Sequence, residues 1–150
     1  MNKLLLALLL VSSFAYADVY PNKSYTPGKA DPALTQSVIC GKTFRTTDIR
    51  NVSESVKNQV YYRYKVSNHQ GYCTGKEGCE IDHLISLELG GSNDASNLWP
   101  QPYSGVTNAH DKDKLENKLR VLVCSGQLTL QQAQTAISTD WISAYNKYAK

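Results

Sequence analysis

Hydrophobic positions along the chain change their spacing from segment to segment, and each spacing predicts an element. Leu4 to Val11 form an unbroken apolar run behind Lys3, followed by Ala15-Tyr16-Ala17. From residue 18 to 39 no period is visible, and Tyr20-Pro21-Asn22 and Thr26-Pro27-Gly28 favour turns and extended backbone, so this segment reads as an arm. Val56, Val60 and Tyr64 then recur every four residues, which predicts a helix over 52–65 with Asn51 as cap and Glu54 reaching back. Between Cys79 and Leu87 the period falls to two. Ile81, His83, Ile85 and Leu87 alternate with Glu80, Asp82 and Ser86, the pattern of a half-buried strand. Gly90-Gly91-Ser92-Asn93-Asp94 supplies turn residues, Asn97-Leu98-Trp99 resumes a short apolar stretch, and Pro100 and Pro102 are expected to end it. The unit is a hairpin with a wide loop.

Helical spacing returns at Thr107 or Asn108, with Asp111 and Asp113 in the first turn and Leu115, Leu119, Leu122 and Val123 as the buried stripe. Gly126 stops this helix. Thr129-x-x-Gln132 has the form of a capping box opening a helix through Ala133, Ala136 and Ile137, and Thr139-Asp140 caps a last helix holding Trp141, Ile142 and Tyr145. The order is α+β, two paired strands embedded in a mainly helical single domain.

Export changes the picture next. The apolar run is too short to span a bilayer, and small residues at 15 and 17 suit a signal peptidase, so residues 1–17 read as a signal peptide removed after Ala17. The expected products are an arm over 18–39 and a domain over 40–150, periplasmic or secreted, with no membrane contact once the signal is cleaved. Without the signal, Lys and Arg only slightly outnumber Asp and Glu, so net charge does not announce a polyanion partner and any nucleic-acid surface must be local. Cys40, Cys73, Cys79 and Cys124 all follow the signal, and an even number in an exported domain predicts disulfides. Of the three connectivities, Cys73–Cys79 with Cys40–Cys124 is favoured, because the first pair closes a Gly-containing loop. A structural zinc site is the weaker alternative, since no Cys-x-x-Cys pair is present.

The stretch from Glu80 to Gln101 carries the chemistry. An Asp82-His83 pair on a strand is followed by the Gly90-Gly91 turn and by Asn97-Leu98, with Asn97 fourteen residues after His83. With the helix that follows, this resembles the HNH nuclease motif, also called the His-Me finger or ββα-metal motif, over residues 80–116. The resemblance implies a phosphodiesterase in which His83 is the general base, Asp82 a ligand of a divalent ion such as Mg2+ or Mn2+, and Asn97 the residue that holds the loop and orients His83.

Those roles suit those residue types. A phosphodiester repels nucleophiles, so hydrolysis needs a base to generate hydroxide and a cation to stabilise the oxygens that gain charge. An imidazole with an unperturbed pKa near 6.5 is neutral enough at working pH to accept a proton, and a carboxylate is a hard oxygen ligand for a magnesium-like ion. Consecutive strand residues face opposite ways, so Asp82 and His83 can serve one site only if the strand twists or bulges.

The third element departs from the family pattern. Position 106, where a helix ligand is expected, is Val, and Pro100 to Gly105 lengthen the connection. Asn108 and His110 are the candidates. Motif order favours His110, whereas carrying the Leu115/Leu119/Leu122 stripe backwards puts Asn108 on the buried side, and the choice stays open. Lys112 and Lys114, with Lys118 and Arg120 further on, are candidate phosphate contacts, although Asp111, Asp113 and Glu116 are interspersed. Tyr61, Tyr62 and Tyr64 offer base stacking or half-buried packing, and His69 reads as a loop residue. The expected partner is nucleic acid, DNA ahead of RNA, cleaved with little sequence specificity. The alternative is a non-catalytic HNH-like fold that binds a partner or an envelope complex.

Overall fold

A computed structural model describes residues 19–65 and 78–150; the signal segment, Cys73 and His69 lie outside the described residues. The fold is α+β. The elements are α1 (Gln36–Ile39), α2 (Thr46–Ile49), α3 (Glu54–Arg63), β1 (Cys79–His83), β2 (Leu98–Pro102), α4 (Ala109–Cys124) and α5 (Leu130–Tyr148). Strands β1 and β2 pair antiparallel, Cys79 opposite Pro102 through His83 opposite Leu98. Short 3-10 turns at Leu87–Leu89 and Ala95–Asn97 occupy the wide loop between them. No helix among the described residues is long and apolar enough to cross a membrane.

The largest core lies between α4 and α5. Leu115, Leu119 and Val123 of α4 meet Ala133, Ile137, Trp141 and Ala144 of α5, and Ile39, Ile85 and Leu89 close the cluster. Both helices carry their own start signals. Asn108 caps α4 by accepting from the His110 N–H at 3.0 Å, and Thr129 and Gln132 form the reciprocal capping box that opens α5. Asp140 does break the helical geometry as a cap would, with φ −153 and ψ 90, and accepts from the Ser143 N–H, so the last helix follows α5's first part across a kink. The Cys40–Cys124 disulfide joins the end of α1 to the end of α4 over a Cα–Cα distance of 5.4 Å.

The segment read as an arm is stitched into the fold. Val19 accepts from the Trp141 indole, Gly28 donates to the Ser96 carbonyl, Ala30 bridges Gly91, and Ile39 enters the core. Helix α3 is capped by Ser53, not Asn51, whose N–H is used elsewhere.

The hairpin differs from its period-two reading. Residue 83 ends β1, and His83, Leu84, Ile85, Ser86 and Leu87 are all buried in succession, so the alternation does not continue. The reason is a side chain in place of a strand: the Asn97 amide accepts from the Ile85 N–H at 3.0 Å and donates to the Ile85 carbonyl at 2.9 Å. Gly91 sits so close to this bend that a Cβ would lie 1.7 Å from the Ile85 carbonyl oxygen. Pro100 and Pro102 lie inside β2 and do not end it. Residues opposite Asp82 and Glu80, and Tyr103 opposite Gly78, share the ladder-bonding parity, so the two prolines fall where no N–H is required. Of the twist or bulge expected at Asp82-His83, a bulge is absent: the ladder pairs one to one up to its last residue, and the chain bends directly after it.

Candidate active site around His83

His83 is 2% exposed and comes from the end of β1. Its Nε2 lies 3.1 Å from Asn93 Oδ1. The orientation of that amide is fixed from behind. Asn93 Nδ2 donates to the Ile49 carbonyl at 2.8 Å, and the Asn51 N–H donates to Oδ1 at 3.3 Å. Only oxygen is therefore presented to the ring, so Nε2 is the protonated nitrogen and Nδ1 keeps its lone pair. Burial lowers the His83 pKa, with Arg50 and Lys112 adding to the fall; Asp82 and the Asn93 hydrogen bond oppose it without reversing it. The ring is a neutral base at neutral pH.

Asn97, with no solvent exposure, clamps the loop behind the histidine. Besides its two bonds to Ile85, it accepts from the Lys29 N–H at 3.1 Å and donates to the Ser92 carbonyl at 2.9 Å, while its own carbonyl accepts from Leu84 at 2.8 Å. Buried amides left unpaired are costly, so this one side chain fixes the arm, the bend and the loop together.

Asp82 is engaged with α4. Its Oδ2 accepts from Lys112 Nζ at 2.6 Å, and the same ammonium donates to the His83 carbonyl at 2.7 Å and to Glu116. Lys112 is fully buried, which corrects the expectation that it meets phosphate from a solvated face. Its place in this oxygen cage pushes its pKa up despite burial, while burial pushes the Glu116 carboxyl up against the pull of the Lys112 ammonium. Lys114 does face solvent, but it bonds Asp111 at 2.9 Å. Arg120 is turned inward, donating to the Ile39 carbonyl and lying over Phe44. The basic run along α4 is thus not one phosphate surface.

The two helix candidates are placed differently. Both polar atoms of the Asn108 amide are used, the oxygen by the His110 N–H and the nitrogen by the Gly105 carbonyl. The exposed His110 ring stacks on Tyr103 with centroids 5.4 Å apart, and Tyr103 donates to Glu80 at 2.9 Å. Burial and the charge of Asp82 raise the pKa of both Glu80 and Asp113. Carboxylates thus gather on the Asp82 side, yet among the described residues no three His, Cys, Asp or Glu side chains converge as a ready cation site.

Asn93 was read only as a turn residue, and no local signal marks it. Lys112 did carry one: it lies three and seven positions before Leu115 and Leu119, on the apolar stripe itself. The chain matches no protein-family model, no curated protein and no solved structure.

Proposed function

We propose that the protein is an exported, metal-dependent endonuclease of the HNH, ββα-metal kind, hydrolysing phosphodiester bonds of nucleic acid with little sequence selectivity. One observation carries the reading: a buried neutral imidazole whose Nε2–H is given to Asn93 lines an open cleft at the end of β1. In the reaction, His83 Nδ1 takes a proton from water as the water oxygen bonds phosphorus. The opposite P–O bond breaks, and its oxygen leaves with a proton from solvent. Asn93 holds the ring in the required tautomer and Asn97 holds the bend that carries it.

A magnesium- or manganese-like ion fits the donor chemistry next to the base, where the charge of Asp82 adds to the affinity of Glu80 and Asp113 for positive charge. In this reading Asp82 would hold it, with His110 as the helix partner, since the Asn108 amide already serves as cap. Such an ion would supply charge stabilisation to the phosphate and leaving oxygens.

The Lys112–Asp82 ion pair favours a second reading, in which Asp82 is structural and the fold binds a partner without catalysis. Incubating the mature protein with unrelated plasmids and magnesium or manganese separates the two. Smears that EDTA abolishes support the nuclease; intact plasmid under every metal condition supports the binding module, and discrete bands from one recognition sequence contradict the lack of selectivity.

A further inference from the structure

The cleft beside His83 carries recognition chemistry that the HNH-like stretch does not account for. It encloses about 490 Å³ and has two walls. Arg50, Asn51, Val52, Lys57 and Tyr61 form one; Glu80, Ile81 and His83 of β1 form the other. The first wall belongs to α3 and the turn that leads into it from α2, a part of the chain with no role in the motif.

Arg50 is the residue best placed for an anion. Its side chain is exposed and makes no ion pair or hydrogen bond with the described residues, while its charge reaches both His83 and Asp113. Its backbone is pinned beside the imidazole by the amide that holds the ring. The carbonyl before Arg50 accepts from Asn93, the N–H after it donates to Asn93, and Asn93 bonds His83. A guanidinium anchored there offers planar, bidentate donors to a phosphate next to the base.

Lys57 and Tyr61 continue the wall. They stand one helical turn apart on α3, so both face the same side. Among the described residues Lys57 pairs with exposed Glu54, a contact worth little in water and readily exchanged for phosphate. A cation, a second cation and an aromatic ring in succession suit a phosphodiester backbone with a base laid against the ring. Tyr64 bonds Thr26 and the Asn22 N–H, and it is Tyr61 that lines the cleft beside the base.

We propose that this cleft binds a single nucleic-acid strand, Arg50 taking the phosphate next to His83, Lys57 the adjoining one and Tyr61 stacking on a base. The assignment rests on the nuclease reading and names the form of its substrate. His83 is only 2% exposed, and the cleft it lines admits by its volume a nucleotide or two but not the width of a duplex. Intact double strands present their phosphates less deeply.

The test is binding of a labelled single-stranded oligonucleotide and of its duplex to the mature protein, by fluorescence anisotropy in EDTA over a salt series, with cleavage in magnesium measured separately. The single strand is expected to bind tighter than the duplex. Arg50→Ala is expected to reduce the salt slope by about 0.7, the value of one single-strand phosphate contact. Tyr61→Ala is expected to weaken binding by on the order of tenfold, and Tyr61→Phe to retain it, because stacking needs the ring and not the hydroxyl. Lys147→Ala, an exposed lysine on α5, is the unaffected control, and melting curves establish that each variant is folded. Parent-like binding by folded Arg50→Ala, or tighter binding of duplex, overturns the cleft assignment even if the protein cleaves DNA. Strand binding at the cleft without cleavage in any metal instead removes the nuclease reading and leaves the cleft as a binding site.

Discussion

The α4–α5 pair and the hairpin corner are built on opposite principles. Between α4 and α5 the contacts are apolar: Leu115, Leu119, Val123, Ile137 and Trp141 are all at most 1% exposed, and a disulfide closes the far end of α4. At the corner the buried groups are polar: His83, Asn97 and Lys112 are at most 2% exposed, and each is fixed by hydrogen bonds to named partners. Apolar contact is roughly additive and tolerant of direction, whereas a buried polar group is costly unless its partner is met at the right angle. The first region therefore supplies stability, and the second spends some of it to hold an imidazole in one orientation.

The two regions meet at Lys112, and its removal should be the most damaging single change. Lys112→Met keeps the stem but leaves the half-buried Asp82 and Glu116 carboxyls and the His83 carbonyl without the ammonium they share, which is expected to cost about 3 kcal/mol or more. Leu119→Ala in the apolar region is expected to cost about 2–5 kcal/mol through the cavity it leaves. Urea unfolding measures both. The comparison is sharpened if the folded fraction of Leu119→Ala keeps full activity per molecule while that of Lys112→Met does not; it is broken if Lys112→Met is as stable as the parent.

A smaller effect on stability with a large effect on rate is expected at Asn93. Asn93→Ala removes the acceptor that fixes the His83 tautomer and should lower kcat by about 10–100-fold, the usual loss for a residue that orients a catalytic group, with KM for DNA changed little. Steady-state kinetics on plasmid DNA checks this. Parent-like kcat would mean that the ring is oriented by packing alone.

The pH dependence is the mildest distinction. Burial sets the His83 pKa below its ordinary 6.5, so the folded protein releases this proton more readily than the unfolded chain. Its stabilising contribution is present above pH 6.5 and declines as pH falls from there toward the folded pKa. The acid limb of activity should accordingly lie below 6.5, since only neutral imidazole accepts the proton. Rates from pH 5 to 8, with melting of parent and His83→Ala over the same range, give the two readings; an acid limb above 6.5 contradicts them.

The same contrast explains what the sequence made legible. Helices α4 and α5 are encoded locally, by the Asn108 cap, the Thr129/Gln132 box and a 3.6-residue stripe, so their existence and faces could be read from neighbours along the chain. The hairpin was visible as a pair of apolar stretches around a Gly-Gly turn, but its details were not. Whether Ile85 continues a strand depends on an amide twelve residues away, and the fate of Pro100 and Pro102 depends on the register with β1. Of the candidate site, Asp82, His83 and Asn97 stood out through the resemblance of their stretch to a known motif. Their partners did not, because Asn93 answers to Ile49 and Asn51, and Lys112 to Asp82, across 30 to 44 residues of chain. The lysine was misplaced for a further reason: a charged side chain on an apolar stripe is ordinarily solvated, and only the three oxygens around it reverse that expectation.

The central claim is that His83 is the general base of a phosphodiester hydrolase, and initial rates of folded His83→Ala on plasmid DNA across magnesium and manganese concentrations test it most directly. The variant should fall on the order of a hundred- to ten-thousand-fold below the parent at every metal concentration, with circular dichroism unchanged. Asp82→Ala, measured beside it, should recover part of its rate as manganese is raised, because its defect includes metal affinity. Folded His83→Ala cleaving within a few-fold of the parent would contradict the account.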